Sequence, residues 1–421
     1  MMEENGLQKG WVETTLGEVA TYINRGITPK YTEDKGMYIL NQRCIRDRKV
    51  SYENSRFNNS DLRKVPFDKI VQELDVLICS TGVGTLGRVA QIKKVKEPTT
   101  VDSHVTIIRP NNDVDKLYLG HLLGGKEREI EHLAEGSTGQ TELPRKKLEV
   151  FPILIPKSIP EQKATASILT SFDDKIELLQ AQNETLENIA QTIFKEWFGK
   201  YQVGDELPEG WRVGKLEEVI EFINGYGFKS KELLNEPELN CLKVFKMGDI
   251  KKGGGFNPNK TRSYFKRDDA ENLSKFILRN GDILMSMTDM KDAISLLGHT
   301  ALMIYDDEYI VNQRVGLIRA ENEIGIDYPF LYLLTNDEVF IANLRGRANS
   351  GVQVNLTTKS IKESPFVIPN KQTNTSFNKV VKPLFEKIKY NAQQIQTLQQ
   401  TRDTLLPKLM SANLRVDEFK E

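Results

Sequence analysis

The chain has 421 residues, of which 39% are hydrophobic and 28% charged, and a formal net charge of -1. This composition gives room for two or three ordinary globular domains and argues against a protein that simply coats polyanions. No apolar run approaches the ~20 residues of a membrane span, and Met1 to Gly10 lacks the basic start and apolar centre of a signal peptide. A cytoplasmic location without membrane contact is therefore expected. Cys44, Cys79 and Cys241 stand alone, without C-x-x-C spacing, and there are only four His. Neither a disulfide framework nor a zinc site is expected, and all three cysteines read as buried small apolar residues.

In chain order the first signal is a repeat. Gly10-Trp11, Leu16, Glu18-Val19 and Ile23-Asn24 recur as Gly210-Trp211, Leu216, Glu218-Val219 and Ile223-Asn224. Further on, Asp75-Val76-Leu77 corresponds to Asp282-Ile283-Leu284, Gly87 to Gly298, and the run Val105–Arg109 to Val315–Arg319. Then Ser137, Gln140, Leu143, Leu148, Pro152 and Ile155-Pro156 match Ser350, Gln353, Leu356, Ile361, Pro365 and Ile368-Pro369. The chain is a tandem duplication. Each half holds a globular region of a size that suits one core. Short strands such as Asp75 to Ser80 and Val101 to Arg109 are predicted, with one amphipathic helix near Leu117 to Leu133 and its counterpart near Pro329 to Leu344.

Each half ends in a long helix. A heptad frame from Gln162 to Phe198 puts Leu169, Ile176, Asn183, Ala190 and Trp197 at a, with Phe172, Leu179, Leu186 and Ile193 at d. The second helix gives Val381, Ile388, Ile395, Arg402 and Leu409 at a, with Leu384, Asn391, Leu398 and Leu405 at d. Two such helices imply a paired scaffold. The organisation is then a first globular domain over residues 1–157, a long helix over 158–201, a linker and second globular domain over 202–370, and a second long helix with tail over 371–421.

The motifs that could carry chemistry mostly dissolve on inspection. Gly82-Val83-Gly84-Thr85-Leu86-Gly87 matches G-x-G-x-x-G, but Arg88 to Ile92 alternates like a strand and the duplicate keeps only the last glycine, so a turn is expected. There is no G-x-x-x-x-G-K-[ST] loop and no Asn/Asp-Pro-Pro-aromatic run of the kind amino-methyltransferases use. Pro160-Glu161-Gln162-Lys163 resembles part of a nuclease pattern, yet Pro and Glu at a helix start complement its exposed N–H groups and dipole. His104 and His121 sit apart, and their counterparts are Arg314 and Leu333, so no chemistry shared by both halves needs them. No enzyme and no cofactor site is expected.

Charge, in contrast, is unevenly spread. Residues 41–64 carry seven Lys/Arg against three acids, and residues 241–280 ten against four, both with interleaved aromatics; residues 158–203 carry four bases against seven acids. Basic globular domains on an acidic helix fit two DNA-binding heads on a spacer, the alternative being ordinary solvated loops. The candidates in the first half are Arg43, Arg46, Lys49, Arg56, Arg63, Lys64, Thr81 and Arg88. In the second they are Lys246, Lys251, Lys252, Arg262, Lys266 and Arg267. Two glycine-containing loops add Ser137, Thr138, Gln140, Arg347, Ser350 and Gln353, since Gln and Arg can make bidentate contacts to adenine and guanine while Ser and Thr suit phosphate. The same loops could equally be turns that their glycines demand.

Together these features resemble the specificity (S) subunit of Type I restriction-modification enzymes. The resemblance covers nearly the whole chain. It rests on the Gly-Trp half-repeat, Gly281-Asp282-Ile283-Leu284 with its later glycine, the run from Arg347 through Gly351 to Gln353, and Ile155-Pro156 leading to Pro160-Glu161-Gln162 and a long helix. The second half departs at its helix entry, where Asn370 to Asn374 replaces the Pro-Glu-Gln form, so a less sharp helix start is expected there. The resemblance implies an α+β fold, with two tandem mixed α/β target-recognition domains separated by two long helices paired as an antiparallel coiled coil. Each domain would read half of a split sequence in double-stranded DNA. Two methyltransferase subunits would dock around the helices, restriction-translocase subunits would join them, and catalysis, S-adenosylmethionine and ATP would belong to those partners. A non-enzymatic protein-interaction adaptor with duplicated domains is the alternative.

In an antiparallel pair, a positions face d positions. The frames then set Ile176 against Leu398, Leu179 against Ile395, Leu186 against Ile388, Ile193 against Val381, Trp197 against Phe377 and Asn183 against Asn391. The polar pair is expected to fix register at some cost in stability. Phe172 opposite Arg402 is the weak joint, while Leu384 and Leu405 complete the seam. About 30 framed residues at ~1.5 Å each give a rod of ~45 Å, longer than one DNA turn of ~34 Å.

Overall fold

The computed structural model describes residues 10–95, 97–136, 141–290, 294–349, 353–411, 413–414 and 416. The chain divides into two compact units, one formed by Met1–Glu177 with Gln396–Glu421 and the other by Leu178–Ile395. Each unit therefore contains a globular head and a portion of both long helices.

In the first unit the apolar runs pair as a four-stranded antiparallel sheet in the order Ala20–Arg25, Val105–Pro110, Val76–Cys79, Val89–Gln91. Val76–Cys79 is buried at every position, the pattern of a strand covered on both faces. Alternation sends its residues to different cores. Val76 and Ile78 pack with Leu119 and Leu122 of the helical side, while Leu77 and Cys79 pack with Leu40 and Ile45. A smaller sheet, ordered Thr99–Val101, Met37–Leu40, Arg56–Asn58, Tyr31–Thr32, begins with a parallel pair. Trp11–Thr15 pairs with Pro152–Pro156 and so brings the start of the head back to its end.

The second unit repeats the plan. Its main sheet runs Ile220–Asn224, Val315–Ala320, Ile283–Ser286, Thr300–Leu302; a smaller sheet runs Tyr264–Lys266, Cys241–Phe245, Tyr309–Val311; and Arg212–Lys215 closes on Pro365–Ile368. The repeated Asp and Arg of the sequence form the same ion pair in both heads. Arg109 Nε and Nη2 donate to Asp75 Oδ1 and Oδ2 at 3.0 and 2.8 Å, and Arg319 does the same to Asp282 at 2.8 and 2.9 Å. Both aspartates are buried. Removing one partner of such a pair costs about 3–5 kcal/mol, which accounts for its presence in both halves.

Two local expectations are corrected. Val101 to Arg109 is two strands, not one, because the chain turns between Thr99–Val101 and Val105–Pro110, where the Val105 N–H bonds the Asp102 carbonyl at 3.2 Å. The single helix near Leu117 to Leu133 is Lys116–Gly125 followed by Glu127–Glu131, broken at Lys126 (φ -105°, ψ 16°) after Gly124-Gly125. Its counterpart is likewise split into Tyr328–Thr335 and Glu338–Arg345, where Asp337 caps the second piece through the Val339 and Phe340 N–H groups.

The long helices run Ile159–Phe198 and Lys371–Met410. Near the first start, buried Gln162 donates to the Pro156 carbonyl at 2.8 Å and accepts from the Asp115 N–H at 2.7 Å. The second start is not the weaker one expected. Asn370 Oδ1 accepts from the Thr373 N–H at 2.9 Å, an N-cap bond, and Asn374 donates to the Pro369 carbonyl at 3.1 Å as Gln162 does to Pro156.

Within the second unit, Asn391 Nδ2 donates to Asn183 Oδ1 and to Gln182 Oε1, both at 2.8 Å, and Asn183 Nδ2 donates to the Ile388 carbonyl at 3.3 Å. Trp197 meets Phe377 with ring centroids 5.7 Å apart. Numbers fall on one helix as they rise on the other, so these segments run antiparallel in the register of the heptad frames. In the first unit the weak joint at Phe172 is relieved next door, where Arg402 reaches Asp173 at 2.6 Å.

The seam is only half of what the helices bury. Ile176, Leu179, Ala190 and Val381 are buried at a or d, but so are Ala166, Phe194, Phe198, Phe385 and Leu406 outside those positions. Phe194, Phe198 and Phe385 sit in the second head's core with Phe330 and Leu331, and Ala166 and Leu406 in the first head's with Leu119 and Leu123. A wider apolar stripe thus binds each helix both to its partner and to a head.

Cys44 and Cys79 are buried, but Cys241 is only half-buried, because it begins the strand Cys241–Phe245. Burial pushes the Cys79 thiol up to about 12 and raises that of Cys44. No helix among the described residues is long and apolar enough to cross a membrane, and no group of three His, Cys, Asp or Glu among them could hold a metal ion.

Candidate nucleic-acid interface

The same segments converge at one end of the main sheet in each head. In the first, the turn Gln42–Cys44 follows the strand Met37–Leu40, the glycine loop follows Val76–Cys79, and His104 tips the turn before Val105. The loop is a turn, as its sequence predicted: Gly82, Gly84 and Gly87 have φ of 100°, 69° and 84°, and the strand Val89–Gln91 follows. A Cβ on Gly87 would lie 2.8 Å from that of Glu131, so only glycine fits. Thr81 Oγ1 bonds His104 Nδ1 at 2.6 Å, and the Leu143 N–H donates to the Ser80 carbonyl at 2.8 Å. Arg25 steadies this edge through an ion pair with Glu142 and a 2.8 Å bond to the Leu143 carbonyl.

In the second head the turn Met247–Asp249 stands for Gln42–Cys44, and Arg314 for His104. Thr288–Met290 pairs with Gln353–Asn355, which draws the predicted Gln353 to this same edge. Asp289 is held by the N–H groups of Ser295, Leu296 and Leu297 at 2.6–3.2 Å. These bonds hold its carboxyl below the usual range against the opposing effect of burial.

The structure sorts the predicted cations. Arg43, Arg46, Arg63, Lys64, Lys251, Lys252 and Arg347 are exposed, as is Gln353. Arg56 is also exposed and lies 3.5 Å above the Tyr31 ring, a cation–π contact that orients it without neutralising it. Arg262 is exposed, with a 3.2 Å bond to the Thr261 carbonyl.

Others make contacts within the protein. Arg88 folds onto the Gly84 carbonyl at 2.6 Å and closes the glycine loop. Lys49 lies 3.5 Å from Glu177, and its neighbour Arg48 lies 3.8 Å from Asp403, so this hairpin turns towards a carboxylate on each long helix. Lys246 donates to Ser263 Oγ at 2.7 Å, Lys266 lies 3.3 Å from Glu238, and Arg267 bonds the Asp307 carbonyl. Ser137, Thr138, Gln140 and Ser350 lie outside the described residues. His104 and Arg314, whose difference in the sequence argued against shared chemistry, are both exposed at the convergence.

A second feature is also duplicated. Each unit has a groove beside the start of a long helix, lined by Asp115, Lys163, Ala166, Thr170 and Asp174 in the first. In the second it is lined by Asp327, Thr375, Asn378, Lys382 and Glu386, each 212 residues further on.

The model of the Type I restriction modification DNA specificity domain matches the chain twice, over residues 8–188 and 208–400. The Type I restriction enzyme MjaIX specificity subunit of Methanocaldococcus jannaschii is 27% identical over 374 residues, covering 84% of this chain and 82% of that protein. The MjaVIII specificity subunit of the same organism is 25% identical over 434 residues, covering 98% and 96%. The crystal structure of the Type I restriction-modification S subunit from M. genitalium shares the fold, with a TM-score of 0.55 at 18% identity over 97% of this chain and 98% of that one. With the domain matched in both halves, and both halves folded on one plan, the chain belongs to the Type I restriction modification DNA specificity domain family.

Proposed function

We propose that this chain is the specificity subunit of a Type I restriction-modification complex, that each head reads one half of a bipartite DNA target, and that the helix pair sets the spacing between half-sites. The observation that carries the reading is the doubled specificity-domain match, with exposed cations in both copies, Arg43 and Arg63 in the first and Lys251 and Arg347 in the second. Arg and Lys neutralise phosphates and set register, and a few side chains read base edges. The adaptor reading is not favoured, since the family is one of DNA specificity domains.

Two methyltransferase subunits dock on the chain in this account. The groove repeated at equivalent residues beside both long helices supports two equal docking places. Catalysis belongs to the partners, including the restriction-translocase subunits that join the complex, and the chain works in the cytoplasm with them. Binding of the purified chain, alone and with methyltransferase subunits, to target and unrelated duplexes across a salt series tests this. Affinity falling steeply with salt, with selective retention of the target, is expected. Salt-independent binding to protein partners alone would favour the adaptor instead.

A further inference from the structure

The turn carrying His104 in the first head and Arg314 in the second has one hydrogen-bond frame and two different tips. The Ser80 N–H donates to the His104 carbonyl at 2.8 Å, and the Met287 N–H to the Arg314 carbonyl at 3.0 Å. Leu143 donates to Ser80 and Leu356 to Met287, both at 2.8 Å; Asp102 donates to Leu40 and Asn312 to Phe245, both at 3.0 Å. The seat is rigid. A Cβ on Gly26 would collide with the Val101 carbonyl oxygen, and one on Gly225 with that of Asn312, so each turn rests directly on the neighbouring backbone. Val101 and Val105, like Val311 and Val315, are buried, whereas His104 and Arg314 are exposed.

Arg314 has φ 70°, a conformation that glycine adopts more easily. Its guanidinium makes no hydrogen bond or ion pair among the described residues. A cation is thus held out from a fixed backbone beside the Thr288–Met290 and Gln353–Asn355 strands, with nothing among the described residues for it to bind. The equivalent His104 is held at Nδ1 by Thr81, which leaves Nε2 as its free edge.

We infer that Arg314 reads a guanine in the half-site of the second head, and that His104 at the equivalent turn reads a base in the other half-site. Arginine has the fork of donors that matches guanine O6 and N7 in the major groove, whereas a single imidazole nitrogen makes one bond. One frame with different tips gives the two heads different sequence preferences without any change of fold. The inference rests on the DNA-recognition reading above.

The test uses the complex assembled with methyltransferase subunits, a randomised duplex library, and sequencing of the bound DNA. The wild type is expected to select two half-sites. Arg314→Asn, whose side chain suits the turn, should lose one guanine preference of about 5- to 150-fold in the second half-site only, with an unchanged thermal melt. His104→Ala should alter the other half-site alone. Arg314→Lys keeps the charge but not the fork and should also lose the preference. An unchanged motif in Arg314→Asn, or a uniform loss of affinity that Arg314→Lys restores, makes Arg314 a bystander or a phosphate contact and overturns the inference. Those results leave the DNA-recognition reading intact. A wild-type complex that selects no sequence defeats that reading and the inference with it.

Discussion

Asn391 is fully buried, and its amide donates to Asn183 Oδ1 and Gln182 Oε1, yet its own Oδ1 has no partner among the described residues. The pair therefore holds register without full satisfaction, and its energetics should be non-additive. Asn183→Leu removes one of the two acceptors of Asn391 and sets an apolar side chain against it. Leaving a buried polar group short of a partner costs about 1–3 kcal/mol. Adding Asn391→Leu removes the orphaned amide, and a leucine at this fully buried position contributes about 1.5–3 kcal/mol, with a smaller gain at half-buried position 183. The double variant should be at least as stable as the wild type although the single one is less stable. Urea unfolding followed by tryptophan fluorescence reports it, because Trp197 and Trp211 lie in the second unit. A double variant less stable than either single one, or effects that add within about 0.5 kcal/mol, would refute the account of the pair.

Further outcomes follow from the same contacts. Phe198→Ala should destabilise the second unit by about 3–5 kcal/mol, since Phe198 packs against Phe330 and Phe377 at 5.0 and 4.9 Å; equal loss in the first unit, read from Trp11, would contradict the separate cores. His121 is largely shielded beside Thr170, and desolvation lowers its pKa from 6.5 to about 4. A depressed histidine contributes stability that is complete above 6.5 and lost as pH falls towards 4, by up to about 3 kcal/mol. His121→Leu, the residue type at Leu333, should flatten that dependence in pH-dependent melting, and an unchanged slope would show that other groups cause it. Removing or adding a four-residue block in both long helices should change the unspecified spacer of the target and leave the half-sites alone; methylation mapping that shows altered half-sites with the old spacer would contradict this.

The features legible in the sequence are those fixed by period or by repetition. The heptad frames located the Asn183–Asn391 and Trp197–Phe377 contacts because each seam position repeats along a helix. Phe194, Phe198 and Phe385 escaped, since a frame that asks only about a partner helix treats the face turned to a head as surface. The break after Gly124-Gly125 had a signal in the two glycines, while that at Asn336-Asp337 was hidden in an apolar pattern that continues on both sides. Charge counts located the basic segments but not their direction, because the hairpin that turns Arg48 and Lys49 towards Asp403 and Glu177 is a tertiary fact. The difference between His104 and Arg314 argued against shared chemistry; at a site that reads two unlike half-sites, that same difference is the signal.

The central claim is that this chain dictates a bipartite DNA target. The methylome of a cell carrying the chain with its partner subunits tests it most directly. The account predicts a new methylated motif of two specific half-sites separated by a fixed unspecified spacer, absent when the chain is deleted. Methylation that does not depend on the chain, or a single contiguous motif insensitive to substitutions in one of the two heads, would contradict it.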